Sequence, residues 1–506
     1  MAEALFETLR EGFAGREAAR FLETPDGRVW SFRDLLDRSA AYARMLLAFG
    51  LRPGDRVAVQ VEKSAENLFL YFGCIRAGGV YLPLNTAYTL AELDYFLADA
   101  EPKVVVVRPG LVEEVGKRAP HAVILALDGE GRGSAADAAD AAAGPFEDVP
   151  RSGDDLAAIL YTSGTTGRSK GAMLTHRNLA SNALVLKDYW RVTADDVLLH
   201  ALPIYHVHGL FTATNTLLAA GGAMLFLPKF DLDEVFRLLP RATVMMGVPT
   251  FYTRLLADPR LTREAVAHMR LFVSGSAPLL AETHRAFQER TGHAILERYG
   301  MTETGMNASN PYEGERRPGT VGFPLPGVQI RITDPETGRP LPVGEIGMIE
   351  VKGPNVFKGY WKNPEKTAAE FRPDGFFVTG DLGRFDERGY LSIVGRGKDL
   401  VISGGLNVYP KEVEDAIDAL PGVVESAVIG VPHPDFGEAV VAVVVAEPGA
   451  RIGEAEIQAA LAEKLAAFKR PKRVVLVPEL PRNTMGKVQK NVLRERYRDL
   501  FTPPAG

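Results

Sequence analysis

The sequence predicts an α/β fold: a large N-terminal domain of stacked α/β sheets with a small β unit, followed by a small, mobile α+β C-terminal domain. Residues 35–110 alternate helix-like stretches with short apolar runs such as RVAVQV and KVVVV, a pattern typical of a parallel sheet with crossover helices. Further apolar runs that end at Pro, Gly or Ser follow, from VLLHALPI to RLFVSGS. Beyond Pro318, short strands and turns replace this alternation. The chain of 506 residues is also too long for a single compact core.

Individual elements follow from local signals in chain order. The first long helix, FRDLLDRSAAYARMLLAFG, is expected to end at Gly50, because glycine tolerates the left-handed conformation of a helix end. Residues 129–150 are rich in Ala, Gly and Asp, which predicts a loop or a weak surface helix. Thr175 is a candidate N-cap of a later helix. The change of pattern after GRGKD (395–399) puts the domain boundary near residue 396, with domains of residues 1–396 and 397–506.

The composition argues against several classes of protein. Hydrophobic residues make up 46% and charged residues 24% of the chain, and the net charge is −6, so nucleic acid and anionic lipid are not expected partners. No stretch approaches the apolar length of a membrane span. The single cysteine, Cys74, fits a reducing compartment and a plain packing role. We therefore expect a cytoplasmic protein without a membrane anchor.

The stretch YTSGTTGRSKG (161–171) has the features of a phosphate-binding loop. Glycine and hydroxyl residues let backbone N–H and side-chain O–H groups surround phosphate oxygens, and Lys170 would neutralise their charge. A mobile surface loop is the alternative, but the preceding apolar run LAAIL is expected to anchor one end on a sheet. A Walker P-loop is disfavoured, because Gly167 is followed by Arg168 and not by lysine.

Seven motifs occur in the order found in one enzyme family. They are YTSGTTGRSKG, LPIYHVHG (202–209), VSGSAP (273–278), ERYGMTET (297–304), TGD (379–381), GRGKDLVISGG (395–405) and PRNTMGK (481–487). These motifs extend over nearly the whole chain, which therefore resembles the adenylate-forming enzymes: acyl-CoA synthetases, nonribosomal-peptide adenylation domains and firefly luciferase. The motifs LPIYHVHGL, ERYGMTET and PRNTMGKVQK are most similar to those of bacterial malonyl-CoA synthetases.

The resemblance implies ATP, Mg²⁺ and coenzyme A as cofactors and co-substrates, and it assigns catalytic residues. Lys487 matches the lysine that lies between the attacking carboxylate and the phosphate, two anions that repel by about 4 kcal/mol at about 4 Å in an effective dielectric of about 20. Glu303 matches the magnesium-positioning carboxylate, with Thr162 also expected at the metal, and Thr302 matches an α-phosphate ligand. His206 matches the junction of acid and CoA. The alternatives are a solvated Lys487 and a helix N-cap at Thr302.

The resemblance also implies a nucleotide site. Tyr299 would offer its face to adenine, with residues 275–278 opposite, although a buried core tyrosine is the competing interpretation. Asp381 would accept hydrogen bonds from the ribose hydroxyls, assisted by Arg396. The expected ATP-binding residues are Thr162, Ser163, Gly164, Thr165, Thr166, Gly167, Lys170, Gly275, Ala277, Pro278, Glu297, Arg298, Tyr299, Gly300, Met301, Asp381 and Arg396.

A second half-reaction is implied for the C-terminal domain. The family forms its thioester after that domain rotates about a hinge, and the hinge position matches Lys398. The rotation would bring the SGG stretch to the acyl-adenylate, and the basic run FKRPKR would bind CoA phosphates, although such a run is more often a solvated face. The expected CoA-binding residues are Ser403, Gly404, Gly405, Lys469 and Arg470.

The acid pocket is expected to contain Arg254, Ser276 and His206, because a dicarboxylic acid needs a cation or donor for its distal carboxylate. The alternative for Arg254 is an exposed helix face. A metal bound by His206 and His208 is disfavoured, since no Cys or carboxylate cluster accompanies them. The resemblance to bacterial malonyl-CoA synthetases implies that malonate, with methylmalonate tolerated, is converted with ATP and CoA to the thioester, AMP and pyrophosphate.

Other functions stay open at this point. They are a synthetase for a monocarboxylic or aromatic acid, a stand-alone adenylation module that loads a carrier protein, and a non-catalytic nucleotide-binding protein, while luciferase-like oxidation is compatible with the motifs but not favoured by them. Joint presence of Lys487, Glu303 and Asp381 disfavours a pure binding protein. Because related synthetases are reversibly acetylated, a lysine acetyltransferase and deacetylase are expected partners at Lys487.

Overall fold

The computed structural model describes residues 4–142, 144–162, 169–403, 406–434, 436–465, 467–483 and 486–501. Within these residues the strands form two large mixed sheets, a small antiparallel sheet and a C-terminal sheet, with helices packed on their faces. The predicted α/β architecture, with its small β unit and its α+β C-terminal domain, is confirmed.

The α-helices of the described residues are, in chain order, α1 (Leu5–Glu11), α2 (Phe32–Ala48), α3 (Ala65–Arg76), α4 (Leu90–Ala100), α5 (Val112–Arg118), α6 (Ser134–Ala141), α7 (His176–Tyr189), α8 (Thr216–Ala220), α9 (Leu232–Leu238), α10 (Pro249–Leu256), α11 (Ala281–Thr291), α12 (Pro364–Glu370), α13 (Pro410–Asp418), α14 (Glu454–Ala462) and α15 (Lys490–Arg496). A π-helical segment, His208–Asn215, precedes α8. Short 3₁₀ turns span Pro109–Leu111, Leu239–Arg241, Glu264–Val266, Gly397–Asp399 and Ala467–Lys469.

The strands of the described residues are β1 (Arg20–Glu23), β2 (Val29–Ser31), β3 (Arg56–Gln60), β4 (Val80–Pro83), β5 (Val104–Val107), β6 (Val123–Ala126), β7 (Leu156–Thr162), β8 (Lys170–Thr175), β9 (Val197–His200), β10 (Ala223–Phe226), β11 (Val244–Gly247), β12 (Leu271–Ser274), β13 (Leu296–Met301), β14 (Gly305–Ser309), β15 (Phe323–Pro324), β16 (Gln329–Thr333), β17 (Gly347–Lys352), β18 (Gly359–Tyr360), β19 (Phe377–Phe385), β20 (Leu391–Arg396), β21 (Val401–Ser403), β22 (Leu406–Val408), β23 (Val423–His433), β24 (Gly437–Ala446) and β25 (Arg473–Leu476).

The first large sheet has the strand order β18-β8-β7-β4-β3-β5-β6. β7, β4, β3, β5 and β6 run parallel, whereas β8 and β18 are antiparallel additions at one edge. All four valines of β5 are buried, as expected for a parallel strand covered on both faces. The stretch proposed as a phosphate loop connects β7 to β8, and Thr162 pairs with Lys170 where the two strands meet that loop.

The second large sheet has the order β15-β14-β13-β12-β11-β9-β10-β1-β2. Its central strands β13, β12, β11, β9, β10 and β1 are parallel. Their carboxyl ends lie at one edge of the sheet, where open α/β folds bind ligands. The segments that begin at His200, Gly247, Ser274 and Met301 therefore meet at this edge.

The small β unit and the C-terminal domain follow in chain order. β16, β17, β19 and β20 form the antiparallel unit, and β22-β21-β24-β23, with β25 parallel to β24, forms the C-terminal sheet. α13 and α14 pack on this sheet around a core that includes Val413, Val440 and Ile457. Only the 3₁₀ turn Gly397–Asp399 and Leu400 separate β20 from β21. The domain boundary near residue 396 stays a prediction at this connection.

Local predictions from the sequence are confirmed in this part of the chain. α2 ends at Ala48, and Gly50 has a φ of 81°. Residues 129–150 contain one short helix, α6, which fits the expected weak surface helix. Thr175 caps α7, because its hydroxyl accepts the N–H of Asn178 at 3.1 Å.

Cys74 is fully buried in the core of the large domain. Gly79 leaves room for its sulfur, since a Cβ at residue 79 would lie only 2.9 Å from it. Burial raises the pKa of the thiol, so the predicted packing role is confirmed. Every helix of the described residues lacks either the length or the apolarity needed to cross a bilayer.

Candidate active site

Two histidines and a serine meet beyond the ends of β9 and β12. Residues 201–207 lead from β9 into the π-helical segment, and they place His206 and His208 side by side, with the N–H of His208 donating to His206 Nδ1 at 3.3 Å. A hydrogen bond of 3.1 Å joins His208 Nδ1 to the hydroxyl of Ser276. Ser276 has a φ of 70°, a left-handed conformation that is rare outside glycine and is typical of functional sites. The structure thus brings His206 and Ser276 together through His208.

Both histidines are neutral at neutral pH. Burial, together with the charges of Arg298 and Lys487, lowers the pKa of His206 to about 4. Burial also holds the pKa of His208 well below its usual range, again with a contribution from Arg298. The Nε2 atom of His208 is buried and has no hydrogen-bond partner among the described residues. The neutral Nε2 atom of His208 therefore lies near the positive charge of Arg298.

That cation, Arg298, is the most unusual group of the site. Its side chain is 4% exposed, and its Nε and Nη2 atoms have no hydrogen-bond partner among the described residues. Its guanidinium packs against Gly275, where a Cβ would lie 2.2 Å from Arg298 Cζ. Burial lowers the pKa of Arg298 to about 9, so the group is still charged at neutral pH. The burial of such a cation is compensated when an anion accepts hydrogen bonds from it.

Arg298 and Tyr299, both expected to bind ATP, are adjacent on β13, and adjacent residues of a strand point to opposite faces. The ATP-binding role of Arg298 stays a prediction. Tyr299 faces Asp381, whereas Arg298 faces His206 and His208. The alternation of β13 is the signal in the sequence that separates these two neighbours.

Arg254 lies on α10 as predicted, and its side chain is exposed. Its guanidinium is 4.7 Å from the ring centre of Phe230, which stacks on Phe251 at 4.1 Å. An apolar platform therefore holds Arg254 at the surface end of α10. Its role in acid binding stays a prediction.

The expected nucleotide residues surround a connected set of polar groups. The hydroxyl of Tyr299 donates to Asp381 Oδ2 at 2.6 Å, and Arg396 Nε lies 3.1 Å from Asp381 Oδ1. Asp381 and Arg396 face each other across β19 and β20, and the carboxylate raises the pKa of Arg396. Tyr299 is a buried member of a hydrophobic cluster whose hydroxyl is bound to the expected ribose ligand, so its contact with adenine stays a prediction.

Glu297 lies on the same face of β13 as Tyr299. One carboxyl oxygen accepts the N–H of Leu279 at 3.2 Å, and the other is buried without a partner among the described residues. Burial raises the pKa of this carboxyl to about 8. Gly275, Ala277 and Pro278 lie on the loop between β12 and α11 that Glu297 thereby holds. Among the described residues Glu297 Oε2 has no partner, so it could accept an N–H group of a nucleobase.

The turn between β13 and β14 presents the expected metal carboxylate. Gly300 makes the hairpin possible, because a Cβ there would lie 2.2 Å from the carbonyl oxygen of Gly305, and Met301 ends β13. Thr302 and Glu303 follow in the turn, so the alternative of a helix N-cap at Thr302 is wrong. Glu303 is 7% exposed, and burial raises the pKa of its carboxyl.

Tyr360 links Glu303 to a second carboxylate that the sequence analysis does not single out. Its hydroxyl lies 3.0 Å from Glu303 Oε1 and 2.7 Å from Glu370 Oε2. A phenol has one proton, so it donates to one of these carboxylates at a time. Lys170 Nζ lies 5.6 Å from the centre of the Tyr360 ring, and Thr162 Oγ donates to the Lys170 carbonyl at 3.4 Å. The ends of the phosphate-loop stretch therefore adjoin Glu303.

Lys487 reaches this site from the C-terminal domain. Its hairpin is closed by Asn483, whose side-chain oxygen accepts the Lys487 N–H and whose N–H donates to the Lys487 carbonyl, both at 2.9 Å. Gly486 packs against α10, since a Cβ there would lie 3.2 Å from Thr250 Oγ. Burial and Arg396 lower the pKa of Lys487, and the nearby charge of Asp381 opposes them. The lysine thus lies among groups of the large domain.

The expected hinge and CoA residues occupy varied environments. Burial lowers the pKa of Lys398 to about 8, and Ser403 is buried on β21. Lys469 pairs with Glu412 at 2.6 Å. Arg470 donates to the carbonyls at the end of α14, Ala462 at 3.0 Å and Leu465 at 2.8 Å. Lys469 and Arg470 are therefore both engaged in polar contacts within the C-terminal domain.

Some expected residues lie outside the described part of the chain. They are Ser163, Gly164, Thr165, Thr166, Gly167, Gly404 and Gly405. Among the described residues, no three His, Cys, Asp or Glu side chains gather as a metal cluster.

Comparison with known protein families identifies the class of protein to which this fold belongs. The family model for AMP-binding enzymes matches residues 6–361, and the model for the C-terminal domain of AMP-binding enzymes matches residues 412–487. The chain belongs to the AMP-binding enzyme family.

Individual relatives are similar over nearly their whole length. A crystal structure of ATP-bound MatB from Rhodopseudomonas palustris is 63% identical, covers 99% of this chain and 100% of its own, and superposes with a TM-score of 0.98. A feruloyl-CoA synthase of an Amycolatopsis species is 38% identical over 475 residues, which is 93% of this chain and 94% of that protein. A malonate–CoA ligase of Arabidopsis thaliana is 34% identical over 550 aligned positions, with 97% and 89% covered.

Proposed function

We propose that the protein is a malonate–CoA ligase that depends on ATP and Mg²⁺. In the first half-reaction a malonate carboxylate oxygen attacks the α-phosphorus of ATP and pyrophosphate leaves. In the second, the CoA thiol loses its proton, its sulfur attacks the acyl carbonyl, and AMP leaves. Methylmalonate is expected as a tolerated substrate. Family membership supports the reaction class, as does similarity to the malonate–CoA ligase of A. thaliana.

The buried guanidinium of Arg298 is the observation that carries the choice of acid. Among the described residues, two of its nitrogen atoms and the Nε2 atom of His208 have no hydrogen-bond partner, and the charge of Arg298 acts on His208. A distal carboxylate supplies acceptors for these groups, whereas an acid with an apolar tail leaves a buried charge unpaired at a cost of about 1–3 kcal/mol or more. Ser276 acts here through its bond to His208.

The proposed pocket also uses Arg254 and His206. Arg254 would bind the distal carboxylate from the exposed end of α10, which requires its guanidinium to leave the Phe230 ring. His206, neutral and beside Lys487, would lie at the reacting carboxylate without adding charge. The pocket thus separates a charged end, at Arg298, from a reacting end at His206.

Lys487 is proposed as the catalytic cation of the first half-reaction. Its ammonium would lie between the malonate oxygen and the phosphate oxygens and reduce their repulsion. The charged groups of the large domain that act on it, Asp381 and Arg396, belong to the proposed ribose site. Thr302 would donate to the α-phosphate from the hairpin turn that also carries Glu303.

The residues around Glu303 fit Mg²⁺. The ion prefers oxygen ligands, commonly one or two carboxylates together with phosphate oxygens. Glu303 is a buried carboxylate whose desolvation a cation would offset, and Thr162 adds a hydroxyl oxygen near the phosphate loop. When bound, Mg²⁺ neutralises phosphate charge. Tyr360 holds the Glu303 carboxylate in place by its hydrogen bond.

The nucleotide is proposed to lie between β13 and β19. Tyr299 would stack on adenine, and Asp381 with Arg396 would hold the ribose. Glu297 Oε2, which has no partner among the described residues, would accept an N–H of the adenine amino group. Residues 275–278 would close the opposite side of the base. The phosphates would then extend toward Lys170 and the loop of residues 163–167.

The thioester step is proposed to need the C-terminal domain, residues 397–506, in a second orientation reached by rotation at Lys398. Ser403 and the adjacent glycines Gly404 and Gly405 would then line the path of the thiol. Lys469 and Arg470 are proposed to bind CoA phosphates, which requires Lys469 to exchange Glu412 for the phosphate.

Isotope exchange between pyrophosphate and ATP tests the proposal, because it measures the first half-reaction without CoA. Single acids are supplied in turn: malonate, methylmalonate, acetate, ferulate and a medium-chain fatty acid. We expect the largest exchange rate per unit concentration with malonate. Faster exchange with acetate, ferulate or the fatty acid would refute the dicarboxylate assignment.

A ligase for an aromatic acid is the second candidate, favoured by the similarity to feruloyl-CoA synthase. Dependence of product formation on free CoA further separates both ligases from a module that loads a carrier protein.

A cytoplasmic location and acetylation of Lys487 by a lysine acetyltransferase, reversed by a deacetylase, are proposed as well. Acetylation would remove the ammonium charge that adenylation needs.

A further inference from the structure

Lys63 is a buried amine to which the proposed chemistry gives no role. It follows β3 in the first large sheet, and it is 8% exposed. Among the described residues, its polar contacts are both with His200, the last residue of β9 in the second sheet. Burial alone lowers its pKa, without any carboxylate contributing. A buried lysine without a carboxylate costs stability, so it needs a reason other than packing.

Each hydrogen of the Lys63 amine has an acceptor. Nζ lies 2.8 Å from the carbonyl oxygen of His200 and 3.0 Å from His200 Nδ1. It also lies 4.2 Å from the centre of the Phe226 ring, whose face attracts a cation. The first two bonds persist in either protonation state, because a neutral amine still has two N–H groups.

The far side of the His200 ring fixes its tautomer. His200 Nε2 lies 2.9 Å from the carbonyl oxygen of Gly209, a group that only accepts hydrogen bonds. Nε2 therefore carries the proton, and Nδ1 accepts from Lys63. Thr214 Oγ reinforces this contact, since it lies 3.2 Å from Nε2 and donates to the Gly209 carbonyl at 2.9 Å.

These bonds close the loop that carries the two histidines of the site. The loop starts at His200, contains His206, and enters the π-helical segment at His208 and Gly209. The imidazole of His200 joins the start of this loop to its end, and Lys63 anchors the imidazole to the other sheet. Gly209 fits closely, because a Cβ there would lie 2.0 Å from the carbonyl oxygen of Pro203.

We propose that Lys63 and His200 are positioning residues that hold the loop of residues 201–209, and with it His206 and His208, at the acid pocket. The proposal deepens the proposed function and rests on it for the identity of the acid. Loss of the anchor moves the histidines relative to Arg298 and Ser276. It therefore weakens acid binding and leaves the nucleotide site, which lies on β13, β19 and β20, in place.

Lys63→Met tests the proposal, because methionine has a similar length and cannot donate. We expect the KM for malonate in pyrophosphate–ATP exchange to rise at least about tenfold, while the KM for ATP stays within about twofold. The melting temperature should change little, since removal of a buried amine that has no carboxylate partner offsets the loss of its two hydrogen bonds to His200. A folded Lys63→Met enzyme with unchanged malonate KM and kcat would overturn the proposal.

The opposite end of the network provides matched variants. Thr214→Val removes the hydroxyl that contacts His200, whereas Thr212→Val removes a buried hydroxyl of the same segment that has no partner among the described residues. We expect a raised malonate KM only for Thr214→Val. His200→Gln keeps a donor toward Gly209 and should retain more activity than His200→Leu. Equal effects within each pair would contradict the proposed network.

A structural readout keeps the test independent of the acid. In protein with ¹⁵N-labelled histidines, of which the chain has 9, two-bond proton–nitrogen spectra report each tautomer. We expect His200 as the Nε2–H tautomer, with its Nδ1 shift altered in Lys63→Met. Should another acid prove to be the substrate, the KM comparison is made with that acid, so failure of the proposed function is distinguished from failure of the anchor. An Nδ1–H tautomer in the wild type would refute the anchor.

Discussion

Arg298 is a buried guanidinium that lacks partners at two nitrogen atoms among the described residues. Replacing it with methionine removes a desolvated charge and keeps an unbranched apolar chain. We expect Arg298→Met to raise the free energy of unfolding by about 1–3 kcal/mol. Malonate-dependent exchange should fall by about 100-fold or more, because a buried charge contact is lost. Chemical denaturation and exchange assays measure the two effects.

Arg254→Leu is the matched comparison on the exposed side of the pocket. It should lower exchange with malonate and relatively spare acetate, with little change in stability, because the Arg254 side chain is exposed. A destabilised Arg298→Met protein with normal malonate use would show that the buried guanidinium serves the fold and not the substrate.

Lys487→Ala separates the two half-reactions. Without the ammonium, malonate adenylation should slow by about 10²–10³-fold or more, the range for loss of a preorganised charge contact. Conversion of supplied malonyl-adenylate to malonyl-CoA should continue, since that step does not use the lysine. Exchange assays and thioester formation from the adenylate measure the two rates. Full-speed adenylation in Lys487→Ala would contradict the proposed mechanism.

At the level of residues, the motifs predict which side chains carry chemistry better than they predict which neighbours those side chains meet. Asp381 and Arg396 are 15 residues apart in the sequence, and the pairing of β19 with β20 places them in contact. Tyr360 and Glu370 have no motif-level signal of their own, because Tyr360 reaches Glu303 and Glu370 from the sheet edge where β18 pairs with β8. Long-range pairing of this kind is invisible in local sequence.

The first helix of the chain depends on a histidine far along the sequence. The N–H of Leu5, at the start of α1, donates to His176 Nδ1 at 3.0 Å. Burial lowers the pKa of His176 to about 4 from 6.5. His176 therefore binds a proton more readily in the unfolded chain than in the folded one. The stability that comes from burying neutral His176 is complete above pH 6.5 and is lost as the pH falls toward 4.

We expect the loss to reach about 3 kcal/mol across that interval. Hydrogen exchange of the α1 amides should accelerate as the pH is lowered, after correction for the intrinsic pH dependence of exchange. His176→Asn retains an oxygen acceptor for Leu5 and does not titrate, so its stability should change less over the same interval. An identical pH profile in the wild type and His176→Asn would disprove this role.

Gly486 illustrates a backbone requirement in the element that carries Lys487. Its φ is 74°, and a Cβ would lie 3.2 Å from Thr250 Oγ. Gly486→Ala therefore strains the hairpin and pushes it away from α10. We expect the rate of malonate-dependent pyrophosphate–ATP exchange to fall about tenfold or more. Thioester formation from supplied malonyl-adenylate should be affected much less. Equal losses in both assays would indicate general damage to the C-terminal domain.

Among elements, those with a strong period or a cap are predictable from sequence. The apolar runs give β3, β5 and β9–β12, and Thr175 gives the start of α7. The π-helical segment has no such signal, because its extra residue per turn follows from the close contact of Gly209 with Pro203 and the bond from His200. The turn at Thr302 likewise resembles a helix cap locally, and the antiparallel pairing of β13 with β14 overrides that resemblance.

For the whole molecule, the orientation of the two domains is the property that local sequence does not determine. Lys398 lies in a 3₁₀ turn closed by a 3.2 Å bond from the Leu400 N–H to the Gly397 carbonyl, which a proline at residue 398 leaves intact. Lys398→Pro should fix φ near the value of this turn. We expect pyrophosphate–ATP exchange to stay within about threefold of the wild-type rate. Thioester formation should fall about 100-fold, because rotation of the C-terminal domain is blocked.

Lys398→Ala is the control, since it removes the same ammonium without restricting φ. Both half-reactions should persist in this variant. A Lys398→Pro enzyme that forms malonyl-CoA at the wild-type rate would place the pivot elsewhere in the connection between β20 and β21.

Cys74 has a practical consequence for observing that rotation. The chain has no other thiol, and the Cys74 thiol is fully buried and has a raised pKa. Maleimide reagents should therefore not label the folded wild-type protein. New cysteines at the exposed residues Val343, in the small β unit, and Val424, in the C-terminal domain, would accept a donor–acceptor dye pair without background labelling. Single-molecule energy transfer between these dyes would then time the domain movement during each catalytic cycle.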